Sequence, residues 1–169
     1  MQYYINPEMD QITDKIWLGN YEAAKNKKNL KRFGITKVLS VMDYAPHYNI
    51  EDNIYQKEVE VIDDPTFNII KYFGDCLYFM EGNDKILVHC MSGASRSATI
   101  VIAYLMWKYK KSAEEATNYV LLKRYTVLPN IGFQKQLKIF EKLLKDNQYI
   151  LDLIDFYNIK WGPNMTKLY

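Results

Sequence analysis

Cysteine and histidine are scarce in this chain, which has two of each among its 169 residues. Two cysteines cannot make a disulfide scaffold, and His47 and His89 are too few and too badly spaced for a typical zinc site. No apolar run approaches the length of a membrane span, and the chain does not begin with a signal-peptide pattern. These absences predict no metal, no cofactor and no membrane partner, and they favour a reducing intracellular compartment, the cytoplasm or also the nucleus.

The chain also lacks an excess of charge of one sign. Its 22 basic and 20 acidic side chains leave a net charge of +2, which does not favour nucleic acid or a membrane surface as a partner. Gln2 excludes N-myristoylation, and the residues up to Tyr169 do not form a prenylation site. The composition is 49% hydrophobic and 15% aromatic, which is enough for the core of one domain.

One stretch combines a thiol, a glycine and an arginine between two apolar segments. The run 85–88 predicts a strand, and the longer run 98–107 predicts a helix. The connection between them therefore lies at a helix N-terminus, where unpaired backbone N–H groups and the helix dipole favour an anion. The residues of this stretch are His89, Cys90, Met91, Ser92, Gly93, Ala94, Ser95, Arg96 and Ser97.

These residue types suit phosphoryl transfer through sulfur. A helix N-terminus and a nearby cation stabilise the thiolate form of Cys90, which can attack phosphorus. Gly93 lets the backbone turn so that successive N–H groups point inward, and the planar guanidinium of Arg96 matches two phosphate oxygens. Ser97 can donate a hydrogen bond to the Cys90 sulfur and ease its departure in a second step. This interpretation requires a thiol that a phosphate can reach and a guanidinium that faces the loop.

Residues 89–97 resemble the signature of cysteine-dependent protein phosphatases, in which His-Cys and five further residues precede Arg and Ser or Thr. Segments 16–20, 103–106 and 129–133 resemble the small, atypical dual-specificity branch of the protein tyrosine phosphatase superfamily. The resemblance covers residues 10–146. It implies an α/β fold, a central twisted mixed β-sheet flanked by helices on both sides. It also implies hydrolysis of phosphotyrosine and of phosphoserine or phosphothreonine through a cysteinyl-phosphate intermediate.

A general acid must protonate the leaving oxygen, and two neighbouring carboxylates are candidates. Asp63 and Asp64 follow a predicted strand at 54–62. In the dual-specificity pattern the acid precedes a short loop and then an aromatic, an Asn or Ser and a hydrophobic residue, which 67–69 matches. This register favours Asp63 as the acid and leaves Asp64 as a turn residue before Pro65, although the reverse assignment stays open.

Supporting roles are assigned to residues around the loop. The backbone amides of residues 91–96 are expected to hold the phosphoryl oxygens, and His89 is expected to orient the loop through a hydrogen bond to backbone. Asn130 either braces the loop, as the matching family position does, or caps the last helix. Cys76 is interpreted as a small core residue, and the alternative is a partner that traps oxidised Cys90 as a disulfide.

The substrate is expected to be a phosphoprotein. Residues 91–95 carry no charge, whereas phosphoinositide phosphatases of this superfamily have lysines between the cysteine and the arginine. Two alternatives to a protein phosphatase remain open, a phosphate-binding pseudophosphatase that serves as an interaction module and a phosphatase acting on RNA 5′ ends. The presence of a thiol at position 90 argues against the first, and the weak net charge argues against the second.

The chain is expected to divide into an N-terminal arm at 1–9, a catalytic domain at 10–146 and an apolar extension at 147–169. The extension either docks on its own domain or engages another copy or a partner. Within the domain, the remaining patterns predict strands at 11–18 and 35–42, a helix capped by Asn20 that runs to Arg32, a helix capped by Asn68, a helix begun by Ser112, and a final amphipathic helix.

Overall fold

The computed structural model describes residues 8–146, and the arm and the extension predicted at the two ends therefore lie largely outside it. In chain order the strands are β1 (Met9–Gln11), β2 (Ile16–Gly19), β3 (Ile35–Val41), β4 (Tyr55–Val59) and β5 (Lys85–His89). The helices are α1 (Tyr21–Lys25), α2 (Lys27–Phe33), α3 (Phe73–Met80), α4 (Arg96–Tyr109), α5 (Ala113–Lys123) and α6 (Ile131–Asp146). Met9 is 1% exposed, so the packed domain begins before residue 10.

The five strands form one mixed sheet in the order β1-β2-β5-β3-β4. β2, β5, β3 and β4 are parallel, and β1 pairs with β2 in the antiparallel sense. Successive strand residues point to opposite faces, so that Leu87 joins the smaller core and Val88 the larger one. Helices α1 and α2 cover the face of the sheet with the smaller core, and helices α3 to α6 cover the face with the larger core. This architecture confirms the mixed sheet with helices on both sides.

Two strand predictions need correction. The single strand predicted at 11–18 is a hairpin, because Thr13 Oγ1 accepts hydrogen bonds from the backbone N–H groups of Lys15 and Ile16 and turns the chain between β1 and β2. The strand predicted at 54–62 is shorter, since β4 pairs only with β3 and this pairing ends at Val59.

Two helix predictions also need correction. The helix predicted from Asn20 to Arg32 is broken at Asn26, whose side chain accepts from Asn29 N and caps α2. Asn68 does not cap the following helix: a 3₁₀ turn at Ile70–Tyr72 precedes α3. The Ile70 N–H is instead satisfied by Gln136 Oε1 of α6, a tertiary contact at 3.0 Å.

The long helix α4 lies in the middle of the larger core. Eleven of its 14 residues are buried, which explains a segment that is apolar on nearly all sides. The predicted capping box is present, with Ser112 and Glu115 bonded reciprocally at the start of α5. None of the helices within residues 8–146 is long and apolar enough to cross a bilayer.

Candidate active site

The stretch with the thiol occupies the connection from β5 to α4. β5 ends at His89 and α4 begins at Arg96, which is one residue later and two residues earlier than the apolar runs 85–88 and 98–107 indicate. Because the four parallel strands end at one edge of the sheet, the connections that follow β2, β3, β4 and β5 meet there. We call residues 90–96 the phosphate loop.

Every carbonyl of residues 90–95 accepts a hydrogen bond from outside the phosphate loop. The N–H and C=O of a trans peptide unit point in opposite directions, so carbonyls turned outward leave the following N–H groups turned towards the interior of the loop. The donors, in order along the loop, are His89 Nδ1 at 3.3 Å, Tyr21 N at 3.1 Å, Arg124 Nη2 at 3.3 Å, Arg124 Nε at 3.1 Å, Leu128 N at 2.8 Å and Thr99 N at 2.9 Å.

Gly93 makes the sharpest bend of the phosphate loop possible. Its φ of +70° lies in the left-handed region that L side chains rarely adopt, and a Cβ at this position would lie 2.5 Å from the carbonyl oxygen of Gly19. Its N–H donates to Cys90 Sγ over 3.3 Å. The predicted role of Gly93 in turning amides inward therefore agrees with the geometry.

The sulfur of Cys90 lies at the floor of the phosphate loop. It accepts hydrogen bonds from Gly93 N at 3.3 Å and from Ser97 Oγ at 3.1 Å. Cys90 is only 1% exposed. The sequence interpretation required a thiol that a phosphate can reach, so the side chain is more deeply buried than expected. The enclosure arises because the loop wraps the sulfur, while Met91 and Ser92 beside it are exposed.

Arg96, at the first position of α4, is held towards the neighbouring connection. Its Nη1 donates to the carbonyl oxygen of Val61 over 3.1 Å, which links the phosphate loop to the segment that carries Asp63. Its Nε is buried and has no hydrogen-bond partner within residues 8–146. A buried donor without a partner is costly, and a phosphate oxygen is a ligand that would satisfy it.

The two candidate acids have different surroundings. Asp63 Oδ1 accepts from Ser95 Oγ at 2.7 Å and from Asn130 Nδ2 at 2.9 Å, and the Asp63 side chain stays exposed. Asp64 instead accepts from the Thr66 backbone N–H at 2.7 Å, and its hydrogen bonds with Thr66 lower the pKa of its carboxyl. The structure thus brings Asp63 to the phosphate loop and leaves Asp64 in its own turn.

Asn130 makes both of the contacts that the sequence left as alternatives. Its Oδ1 accepts from Phe133 N at 2.9 Å and caps α6, while its Nδ2 donates to Asp63. Its backbone N–H also donates to Ser95 Oγ at 3.0 Å. One residue therefore fixes the start of α6, the carboxylate of Asp63 and the end of the phosphate loop.

His89 lies beneath the phosphate loop with no exposed surface. Its Nε2 is 2.7 Å from Ser40 Oγ, and its Nδ1 is 3.3 Å from the Cys90 carbonyl oxygen. Burial lowers the pKa of His89 to about 4, so the imidazole is neutral near pH 7. With Nδ1 as the protonated nitrogen, His89 donates to the loop carbonyl and accepts from Ser40, which is the tautomer this arrangement favours.

Arg124 is the residue that the sequence interpretation missed. Arg124 lies at the end of α5 and is only 4% exposed. It donates to two carbonyl oxygens of the phosphate loop, and its Nη1 donates to Asp10 Oδ2 over 2.6 Å. No local motif marks it. The only available indication is that arginine is rare in this chain, which has three arginines among its 22 basic residues.

Cys76 lies in the larger core with no exposed surface. Burial raises the pKa of its thiol above the ordinary value, which makes it a poor attacking group for disulfide exchange. Both Cys76 and Cys90 are free thiols. The surroundings of Cys76 support its interpretation as a core residue.

The chain matches a family of known proteins over most of its length. The family model for the dual specificity phosphatase catalytic domain matches residues 16–143. Dual specificity protein phosphatase 1B of Arabidopsis thaliana is 37% identical over 145 residues, which cover 83% of this chain and 86% of that protein. Dual specificity protein phosphatase 22 of Mus musculus is 34% identical over 138 residues, which cover 79% of this chain and 74% of that protein.

The fold of this chain is similar to that of solved structures. A mouse putative dual specificity phosphatase, complexed with zinc tungstate, has a TM-score of 0.80 and 28% identity, and the match covers 88% of this chain and 95% of that one. A human tyrosine phosphatase-like serine/threonine/tyrosine-interacting protein has a TM-score of 0.75 and 29% identity, with 83% and 99% covered. The family model and the relatives named as dual specificity phosphatases favour a protein phosphatase over the two alternatives, and this chain belongs to the dual specificity phosphatase family of enzymes.

Proposed function

We propose that this phosphatase hydrolyses phosphotyrosine and phosphoserine or phosphothreonine in proteins, with Cys90 as the nucleophile and Asp63 as the acid and base. The observation that carries the proposal is the outward direction of all the carbonyls of residues 90–95, because it leaves a ring of amides around the sulfur. Such a ring suits the three equatorial oxygens of a phosphoryl group. The tungstate of the mouse relative is a tetrahedral oxyanion, which is compatible with the same chemistry here.

In the first step, the Cys90 thiolate attacks phosphorus and forms an S–P bond while the P–O bond to the substrate breaks. Asp63 in its protonated form gives its proton to the departing oxygen. The backbone amides of Met91, Ser92, Gly93, Ala94 and Ser95 and the guanidinium of Arg96 stabilise the charge on the other three oxygens. The products of this step are the free hydroxyl group and a cysteinyl phosphate.

In the second step, water attacks phosphorus and the S–P bond breaks. Asp63, now a carboxylate, takes a proton from the water, and the sulfur leaves as a thiolate. Ser97 donates to that sulfur as negative charge returns to it, a role supported by the 3.1 Å separation of Ser97 Oγ and Cys90 Sγ. Inorganic phosphate is released, and His89 and Asn130 hold the loop and the acid in place.

We also propose a role in protein dephosphorylation within a cytoplasmic signalling pathway. The uncharged loop residues 91–95 support a protein rather than a lipid substrate. Two free cysteines, one of them the nucleophile, favour a reducing compartment.

Replacement of the nucleophile tests the proposal. We expect Cys90→Ser to abolish hydrolysis of p-nitrophenyl phosphate and of phosphopeptides, while fluorescence anisotropy still detects phosphopeptide binding. Cys76→Ala is the control and should keep the activity of each folded molecule. The same assay on phosphotyrosyl and phosphothreonyl peptides, phosphoinositides and 5′-triphosphate RNA defines the substrate class. Wild-type hydrolysis by Cys90→Ser would overturn the mechanism.

A further inference from the structure

Large apolar side chains are exposed around the phosphate loop. Ile62 is 65% exposed, Met91 53%, Leu128 71% and Ile131 58%. Single exposed apolar residues are ordinary on protein surfaces, but several that share one location indicate a binding surface. We call these four residues the apolar rim.

Each residue of the apolar rim belongs to the phosphate loop, donates a backbone hydrogen bond to it, or is adjacent in sequence to a residue that bonds to it. Met91 lies in the loop, and the Leu128 N–H donates to the Ala94 carbonyl at 2.8 Å. Ile131 follows Asn130, and Ile62 precedes Asp63. Both of those polar neighbours bond to Ser95 Oγ, at 3.0 and 2.7 Å. Three separate segments therefore bring exposed apolar residues next to groups that bond to the phosphate loop.

Among the described residues, acidic side chains outnumber basic ones in the connections at this edge of the sheet. The connections at 42–49, 60–69 and 124–130 contain no lysine, and Arg124 in the last of them is buried. Exposed carboxylates at the edge belong to Asp43, Glu60, Asp63 and Asp64. The next lysine after the second connection, Lys71, lies 4.9 Å from the ring centroid of Tyr72.

We infer that the apolar rim selects protein segments with a single phosphorylated residue and apolar side chains beside it. The inference rests on the proposed phosphatase function and names its substrate class. Apolar neighbours of the phosphoresidue remove rim surface from water, whereas acidic or phosphorylated neighbours bring like charges near the four exposed carboxylates, which outnumber the nearby exposed Lys71. The phosphate loop supplies affinity for the phosphate, and the rim supplies discrimination among phosphopeptides.

Matched peptides and matched variants test the inference. Two phosphotyrosyl peptides of equal length carry leucine or aspartate on both sides of the phosphoresidue, and a third carries a second phosphorylated residue. We expect the wild-type kcat/KM to be about 10-fold higher for the leucine peptide than for either other peptide. Each value is divided by the kcat/KM for p-nitrophenyl phosphate, so that changes in the chemistry cancel.

Ile131→Ser and Leu128→Ser should each reduce this preference several-fold. Ile139→Ser is the control, since Ile139 is 48% exposed on the same helix as Ile131 but eight residues further along, which is about 12 Å. It should keep the wild-type preference. Equal kcat/KM for the three peptides, or an effect of both rim variants no larger than that of the control, would overturn the inference while the proposed function stands. A wild-type protein that hydrolyses neither p-nitrophenyl phosphate nor any peptide would overturn both.

Discussion

Ser97 Oγ donates to Cys90 Sγ across the phosphate loop, and the two atoms are 3.1 Å apart. Cys90 follows the last residue of β5. Ser97 is the second residue of α4, and its side chain has no exposed surface. The packing of α4 against the sheet therefore sets the distance. A neutral donor fixed in this place stabilises negative charge on sulfur both before the attack and when the cysteinyl phosphate breaks down.

Replacing Ser97 should slow the second step more than the first. In the first step, the proton from Asp63 assists departure of the substrate oxygen. In the second step, the thiolate itself departs, and Ser97→Ala removes one of the two hydrogen-bond donors to its sulfur. We expect kcat for p-nitrophenyl phosphate to fall about 10²-fold and a burst of p-nitrophenol to appear in stopped-flow measurements. Ser97→Thr, which keeps the hydroxyl, is the control and should show a much smaller burst. A fall in kcat without any burst would assign Ser97 to the first step.

The two neighbouring aspartates should differ in their effects on rate. Asp63→Asn removes the proton donor and should lower kcat for a phosphoseryl peptide by about 10²–10⁴-fold. The effect on p-nitrophenyl phosphate should be smaller, because nitrophenolate leaves readily without a proton. Asp64→Asn is the matched control and should leave both rates close to wild type, since Asp64 is bonded to Thr66. The opposite result would transfer the role of acid to Asp64.

The phosphate loop was predictable because its chemistry is local in sequence. The strand before it, the helix after it, Gly93 and Ser97 all lie within a short stretch whose patterns are independent of the rest of the chain. Asp63 is favoured over Asp64 through the resemblance of residues 67–69 to the dual-specificity pattern, and not through any local chemistry of its own. The break at Asn26 and the failure of Asn68 as a cap were harder to predict, because each depends on which of several competing side chains satisfies a backbone N–H.

The supports of the phosphate loop were not predictable from the sequence. Arg124 lies 31 residues beyond Gly93 and reaches it only because α5 packs on α4, and Ser40 meets His89 only because β3 pairs with β5. No periodicity or motif encodes such tertiary contacts. The sequence therefore indicated candidates for the reacting groups, and the fold was needed to find the groups that hold them.

Arg124 should act as a positioning residue. Arg124→Lys keeps the positive charge but cannot supply the planar set of donors that reaches two loop carbonyls and Asp10. We expect kcat/KM for p-nitrophenyl phosphate to fall at least 10-fold and the inhibition constant of orthovanadate to rise in parallel, because both report on the shape of the amide ring. Asp10→Asn, which removes the ion pair, should show a smaller change in the same direction. Arg32→Lys is the control, since Arg32 is exposed on α2. Unchanged vanadate inhibition in Arg124→Lys would contradict this role.

The neutral state of His89 should make the free energy of unfolding depend on pH. Burial lowers the pKa of His89 from its ordinary 6.5 to about 4, so between these values the unfolded chain binds a proton that the folded chain does not. Stability is therefore lost as the pH falls from 6.5 towards 4, and this residue alone should account for about 2 kcal/mol between pH 7 and pH 5. Urea denaturation of the wild type and of His89→Gln at both pH values measures the difference, because contributions from carboxylates are shared by the two proteins and cancel. His47→Gln, at a side chain that is 87% exposed, should keep the wild-type dependence. An equal loss of stability in the wild type and in His89→Gln would show that His89 is not the group responsible.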